Sequence, residues 1–282
     1  MADEHKNVKS LWQLVHGDLT DEQWDLIADI FVPPFAPGKM GRPRKIPFRR
    51  IVDAIFYVGA TGCQWRALPT SYPHWNTVHR YHRLWSTNGT WEKISHRLRE
   101  QVRVEAGNEA EPSALIIDAR TVRGAATVTG QTRGYDGGKK ISGRKAFGLV
   151  DTLGLLIAVV VVAANTADNT GGIAATRRAR KQTDRLQKVF CDGGFKTTYK
   201  TWCNRHHIGV EVINRIAPHE FVPLPKRWII ERSWSWLMNN RRLQLDYERD
   251  TKVTEGFHWA AQNHYLLRRP APQTATATRR TN

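Results

Sequence analysis

The chain has 282 residues, three cysteines and a formal charge of +17, from 43 Lys and Arg against 26 Asp and Glu. That length suits one large domain or two smaller ones with a sizeable core. The charge points to a polyanionic partner, most simply nucleic acid. Cys63, Cys191 and Cys203 lack CxxC spacing, so neither a disulfide framework nor a zinc site is implied, and a reducing interior fits. The opening residues are polar, and the longest apolar run, Leu155 to Ala164, is too short to span a bilayer. No basic amphipathic helix favours a membrane surface. A cytoplasmic protein with no membrane partner is expected. Eleven tryptophans exceed what such a core usually needs, which leaves some for binding.

Along the chain, Thr20 or Asp21 can cap a first helix running through Ile27, Ile30 and Phe31, stopped by Pro33-Pro34. Pro37 to Lys45 is basic and extended. Its Gly41-Arg42-Pro43 core resembles an AT-hook, in which an extended arginine lies in the minor groove; a plain basic linker fits equally. Pro47 to Ala60 reads as a helix with Ile51, Ala54, Ile55 and Val58 on one face, broken at Gly59-Ala60-Thr61-Gly62. A second helix, Asn76 to Trp85, carries Arg80 and Arg83 outward. Helix, glycine turn, basic helix is a helix-turn-helix-like pattern, with Thr77, Arg80 and Arg83 toward DNA. A small helical bundle with a basic face is the alternative. Glu92 to Val104 is helical, and residues 106–113 read as a linker.

After the linker the pattern changes to strands. Ala114-Leu115-Ile116-Ile117 is a buried run with Asp118 at its exit. Residues 124–140 form a basic, glycine-rich loop without the order of a phosphate loop. Arg144 to Val150 and Leu155 to Ala163 form a hairpin. A helix from Thr170, a strand Lys188 to Cys191 ending in Asp192-Gly193-Gly194, a helix to Arg205 and a strand Gly209 to Ile213 follow. Lys226 to Arg242 includes a helix carrying Glu231, with Leu224, Trp228, Ile230, Trp234 and Leu237 as its buried side. Thr254 to Leu267 is a last helix, and residues 270–282 read as a disordered tail. The order predicts an α/β layer with a mixed sheet. The expected division is 1–105, 106–113, 114–269 and 270–282.

If the strands before Asp118 and Asp192 are parallel neighbours, both carboxylates emerge at one sheet edge, where ligands bind. Glu231 can complete the cluster. Close carboxylates repel one another, and divalent cations remove that cost. Oxygen donors with room for water suit Mg²⁺ or Mn²⁺. Two such ions can serve phosphodiester chemistry. Among other acids, Asp151 is read as bonding its own turn, Asp168 as a helix cap and Asp136 as solvated. Cys191 reads as packed. His206 and His207 read as surface residues, and His258 and His264 as ordinary helix residues.

Several motifs in combination carry a resemblance: Gly62-Cys63-Gln64-Trp65-Arg66-Ala67-Leu68-Pro69, Gly134-Tyr135-Asp136-Gly137-Gly138-Lys139-Lys140 with Gly143-Arg144-Lys145, Leu149-Val150-Asp151-Thr152-Leu153-Gly154, Asp192-Gly193-Gly194-Phe195, Arg227-Trp228-Ile229-Ile230-Glu231-Arg232 and Asp246-Tyr247-Glu248. From about Leu19 to Arg269 the chain resembles an insertion-sequence transposase of the IS5 family, within the IS4-like group of DDE transposases. The resemblance implies an RNase H-like catalytic core behind an all-α DNA-binding domain. It implies Asp118, Asp192 and Glu231 as the DDE triad, Mg²⁺, and a bacterial, nucleoid-associated location. It also implies terminal inverted repeats and target DNA as partners, a homodimer in the active complex, and movement by hydrolysis and strand transfer. Arg227 matches the arginine of the group's Tyr-x2-Arg-x3-Glu-x6-Lys signature. The tyrosine and lysine of that signature fall at Leu224 and Met238, leaving Arg241 and Arg242 for the cationic role. DNA contacts are expected from Arg42, Arg44, Lys45, Arg80, Arg83, Lys139, Lys140, Arg144, Lys145, Arg227 and Arg241. A metal-dependent nuclease without strand transfer and an inactive DNA-binding repressor are the alternative readings.

Overall fold

Six strands form one mixed sheet in the computed structural model, which describes residues 18–31, 45–195, 197–213 and 226–269. The central strand β1 (Ala114–Arg123) is followed by the short β2 (Gly134–Asp136) and by β3 (Ile141–Val150), which pairs antiparallel with β1. β4 (Leu156–Ala163) pairs antiparallel with the other edge of β3, and β2 pairs with the first residues of β3. On the far side, β5 (Lys188–Cys191) runs parallel to β1, and β6 (Gly209–Val212) runs parallel to β5.

Side chains alternate across a strand, so neighbouring residues enter different cores. Ile116 joins Val150, Val159 and Phe190 on one face; Leu115 and Ile117 join Phe147, Leu149 and Val189 on the other. Among the described residues, four N-terminal helices come first: α1 (Asp21–Asp25), α2 (Phe48–Thr61), α3 (Trp75–Thr87) and α4 (Thr90–Glu105). Then α5 (Asp168–Ala179) and α6 (Thr197–Arg205) supply Ala175, Tyr199 and Cys203 to the second face. The first face receives α7 (Arg227–Met238) and α8 (Thr251–Leu267). This α/β core behind an all-helical region is the RNase H-like architecture that the resemblance implies.

Helix α8 touches α2, α3 and α4 as well as β4. One apolar core therefore runs from the N-terminal helices through α8 to the sheet. The helix also closes the open edge of β4. Glu255 and Gln262 accept hydrogen bonds from the Val161 and Leu156 amides, at 3.1 and 2.6 Å. An exposed edge would otherwise offer those amides to another chain. Residues 106–113 lie between α4 and β1 and are anchored: the Ser113 carbonyl accepts from Gln187 N, and Glu111 accepts from Asp184 N.

Several local expectations change. The first helix is shorter than expected. Thr20 caps α1 through a reciprocal bond with Gln23, and a 3₁₀ turn over Ala28–Ile30 follows. Asp118 is not at a strand exit. β1 continues past it to Arg123 because β3 supplies partners along its whole length. Asp168 does not cap α5; Ala167 occupies the cap position, and Asp168 bonds Lys145. Asp136 is not simply solvated. It accepts from the Thr121 hydroxyl at 2.6 Å and from the amides of Gly138 and Lys139. The Thr121 hydroxyl, above all, holds its carboxyl below the usual range. Asp151 does bond its own turn, taking the Leu153 and Leu155 amides, and also pairs with Arg103. Cys191 is packed in the core, where burial pushes its thiol up to about 12. His258 and His264 are helix residues as expected, both in α8 and both buried. The Pro33-Pro34 stop, the AT-hook-like stretch apart from Lys45, and the tail from 270 lie outside the described residues.

The N-terminal segment docks on α2 through one buried carboxylate. Asp53 accepts from the Leu19 amide at 3.0 Å, and its second oxygen has no hydrogen-bond partner. Burial pushes Asp53 up to about 6, and Arg50, 3.8 Å away, offsets this only in part. The folded state thus holds this proton more tightly than the unfolded chain, whose carboxyl titrates near ~4. Stability from this group is present at low pH and is lost as pH rises between those values. Two pKa units amount to ~3 kcal/mol at most. Asp53→Asn keeps the acceptor for Leu19 and should raise stability at pH 8 by about 1–3 kcal/mol, with little change at pH ~3, below the unfolded pKa. Urea unfolding at both pH values measures this; a loss of stability at pH 8 would contradict it.

Candidate active site

The parallel pairing of β1 and β5 places Ile116 beside Phe190. Two residues further along each chain stand Asp118 and Asp192. Both therefore leave the C-terminal end of the same two-strand ladder, where ligands collect in open α/β sheets. By alternation, Asp118 shares the face of Ile116, on which α7 lies.

Trp234 of α7 makes that packing specific. Its ring lies over Gly148, directly across from Asp118 in the β1–β3 pair. A Cβ at Gly148 would stand 2.8 Å from the indole, so only glycine admits the ring at this distance. From there Trp234 Nε1 donates to Asp118 Oδ2 at 3.1 Å. Glu231 lies three residues before Trp234, an adjacent position on the helix surface. It lines the same open cleft as Asp118, a space of about 380 Å³ that Arg120, Thr121, Lys139 and Ser235 also border.

A second set of contacts steadies α7. The Arg232 guanidinium lies 4.5 Å from the ring centres of both Trp228 and Trp236 and donates to the Leu153 carbonyl. Trp236 stacks on Tyr265 of α8 at 4.9 Å. Ile230, Trp234 and Leu237 are buried as expected. Trp228 is not part of the buried side: it is 46% exposed, because its ring covers Arg232 instead of the core. Leu224 lies outside the described residues.

Asp192 begins a turn in which its Oδ1 accepts from Gly194 N at 2.9 Å. A Cβ at Gly194 would stand 3.0 Å from Asp192 Oδ1 and 3.1 Å from Asp168 Oδ2. Asp168 is thus a further carboxylate beside the Asp192 turn, neutralised by Lys145 at 3.1 Å. Asp192 does not line the Asp118–Glu231 cleft. Oxygen donors of this kind suit a hard divalent ion. Among the described residues, however, no three His, Cys, Asp or Glu stand together closely enough to hold a metal. The fold brings Asp118 and Glu231 to one cleft and leaves Asp192 one strand away.

The cations expected at DNA divide into two groups. Lys45, Arg80, Arg83, Lys139, Lys140 and Arg241 are exposed. Arg144 is not a phosphate contact in this fold. It is buried and bonds Asp246, the Glu248 and Arg249 carbonyls, Thr132 and Thr254. Lys145 is likewise turned inward, to Asp168 and the Thr166 carbonyl. Arg242 cannot take the cationic role offered to it, since Glu248 holds it in the interior. The Asp246-Tyr247-Glu248 motif is therefore a lock that ties β3 and the end of α7 together. Arg42, Arg44 and the side chain of Arg227 lie outside the described residues.

With this geometry in view, two family models match the chain. Residues 19–95 match the family described as "Putative transposase of IS4/5 family", and residues 109–263 match the "Transposase DDE domain". The chain belongs to the DDE transposases of the IS4/5 family. It is also 33% identical over 119 residues to "Uncharacterized protein y4sN" of Sinorhizobium fredii (strain NBRC 101917 / NGR234), a match covering 42% of this chain and 86% of that protein. For this transposase, sequence reasoning named the carboxylates but not the residues that set them. Trp234 was read only as a buried apolar residue, and Arg120 was not singled out. The alternation placing Arg120 on the face of Asp118 was the available signal.

If Trp234 fixes the cleft, Gly148 is its required seat. Gly148→Ala should cost about 1–3 kcal/mol through overpacking, and Trp234→Phe in that background should recover part of it by removing the clashing six-membered ring edge. Urea unfolding of the parent and the two variants tests this. A Gly148→Ala protein as stable as the parent would show that the indole does not need this seat.

Proposed function

We propose that this transposase binds the terminal inverted repeats of its insertion sequence and catalyses DNA strand cleavage and strand transfer. The observation that supports this best is the sharing of one cleft by Asp118 and Glu231, with Asp192 just past the end of the neighbouring parallel strand β5. The proposed triad is Asp118, Asp192 and Glu231, with Mg²⁺ or Mn²⁺ as cofactor, two ions in all. Such ions, when bound, supply positive charge at the phosphate and favour ionised oxygen nucleophiles.

The chain's own groups have separate tasks. Trp234 Nε1 orients the Asp118 carboxylate by its hydrogen bond. Lys139, at the cleft border, offsets the negative charge that would repel an entering phosphodiester. Lys45, Arg80, Arg83, Lys140 and Arg241 are the proposed contacts to DNA phosphates, with Arg227 added from the family signature. Such contacts position the duplex and make binding salt-dependent. Hydrolysis adds water across one P–O bond at the element end, leaving a 3′-hydroxyl and a 5′-phosphate. Strand transfer then exchanges that 3′-hydroxyl oxygen for a bridging oxygen of target DNA, releasing a target 3′-hydroxyl. Two element ends must be joined in one event, so the proposed active complex is a homodimer. Among the described residues no helix is long and apolar enough to cross a membrane, and the proposed site of action is the bacterial nucleoid.

A labelled element-end duplex with Mg²⁺ tests the proposal in wild type and Asp192→Asn. Cleavage and joining by wild type, both lost in the variant with duplex binding kept, is the expected result. Cleavage without joining identifies a nuclease. Tight binding without cleavage by either protein identifies a repressor.

A further inference from the structure

We infer that Arg120 is a substrate-binding residue, whose guanidinium takes a non-bridging oxygen of the phosphodiester entering the Asp118–Glu231 cleft. The inference rests on the transposase reading of that cleft. Arg120 stands two residues after Asp118 on β1, so its side chain leaves the same face of the sheet. It is half-buried and borders the cleft.

What distinguishes Arg120 is its lack of partners. Its Nε is buried without a hydrogen-bond partner. Among the described residues, no hydrogen bond or ion pair is formed by any of its nitrogens. Other arginines in the interior have at least one partner. Arg103, Arg144, Arg178 and Arg242 each pair with a carboxylate. Arg99 and Arg232 also have an unpartnered Nε, yet their terminal nitrogens donate to the carbonyls of Leu156 and Leu153. A guanidinium carries five N–H donors and keeps its charge, so one withdrawn from water needs acceptors.

The nearest carboxylate on its own strand does not supply them. Asp118 Oδ2 receives the Trp234 indole instead, and Lys139 Nζ donates to the Ala119 carbonyl beside it. The cleft thus holds two carboxylates and a cation that remains open toward an entering group. An anion with two or more oxygens on one centre matches a guanidinium fork, and a phosphodiester is the anion this family acts on. Arg120 would also offset the repulsion between that phosphate and the carboxylates.

The test scans an element-end duplex with a neutral methylphosphonate at the scissile phosphate and at each neighbour in turn. Cleavage is measured with Mg²⁺ for wild type, Arg120→Gln, Arg120→Ala and Arg120→Lys. Removing this donor should slow cleavage of the unmodified duplex about 10²-fold, with urea stability and overall duplex affinity nearly unchanged. Arg120→Lys should recover part of the rate. At one phosphate, the methylphosphonate should slow wild type by a similar factor and slow Arg120→Gln no further, since both changes remove one contact. Additive losses at every phosphate, or wild-type rates in Arg120→Gln and Arg120→Ala, overturn the inference. If wild type cleaves no element end, the transposase reading itself fails. The inference then falls with that reading, whereas failure of the inference alone leaves wild-type cleavage intact.

Discussion

The candidate site depends on one contact: the Trp234 indole seated on Gly148 and bonded to Asp118. The contact fixes three things at once. It sets how closely α7 approaches the sheet, it orients one carboxylate, and it determines where Glu231, three residues earlier on the same helix, meets the cleft. An indole suits this role because its apolar body packs on the bare backbone while its one N–H reaches a partner. Arg232, between Trp228 and Trp236, and Trp236 on Tyr265 restrain the same helix from its other side. The cleft is thereby built on regular elements rather than on loops, which favours precise placement of reactive groups.

Charge in this protein is used in two ways. The interior contains arginines paired with acids, of which Arg144–Asp246, Arg242–Glu248 and Arg103–Asp151 are the most buried. Removing one partner of such a pair costs about 3–5 kcal/mol, because the other is left uncompensated. Two of these pairs connect segments far apart in the chain, Arg144–Asp246 joining β3 to the stretch after α7 and Arg103–Asp151 joining α4 to the β3–β4 turn. The exposed cations are a different population, solvated and available to a polyanion. Arg120 belongs to neither: it is half-buried, unpaired among the described residues and at the cleft.

Much of the site was legible because strands announce themselves locally. Ile116-Ile117 before Asp118 and Phe190-Cys191 before Asp192 are short apolar runs, and their parallel pairing brought both acids to one ladder end. The Arg227–Glu231 helix was readable from its 3.6-residue spacing. The misses have one physical cause: partners distant in sequence. Arg144 reads as a surface base until Asp246, 102 residues later, buries it. Asp136 reads as a loop acid until Thr121 on β1 bonds it. Trp228 reads as core because a helical stripe cannot reveal that an arginine four residues on will take its ring. Asp118 reads as a strand end because the apolar run stops there, while β3 keeps the ladder going to Arg123.

The central claim is that Asp118 and Glu231 act as one site across β1 and α7. Calorimetric titration of the free protein with Mn²⁺ tests it most directly, comparing wild type with Asp118→Asn and Glu231→Gln. The account predicts a binding event in wild type that either substitution weakens strongly. Equal Mn²⁺ binding in wild type and Glu231→Gln would contradict it, because the two carboxylates would then not share a ligand.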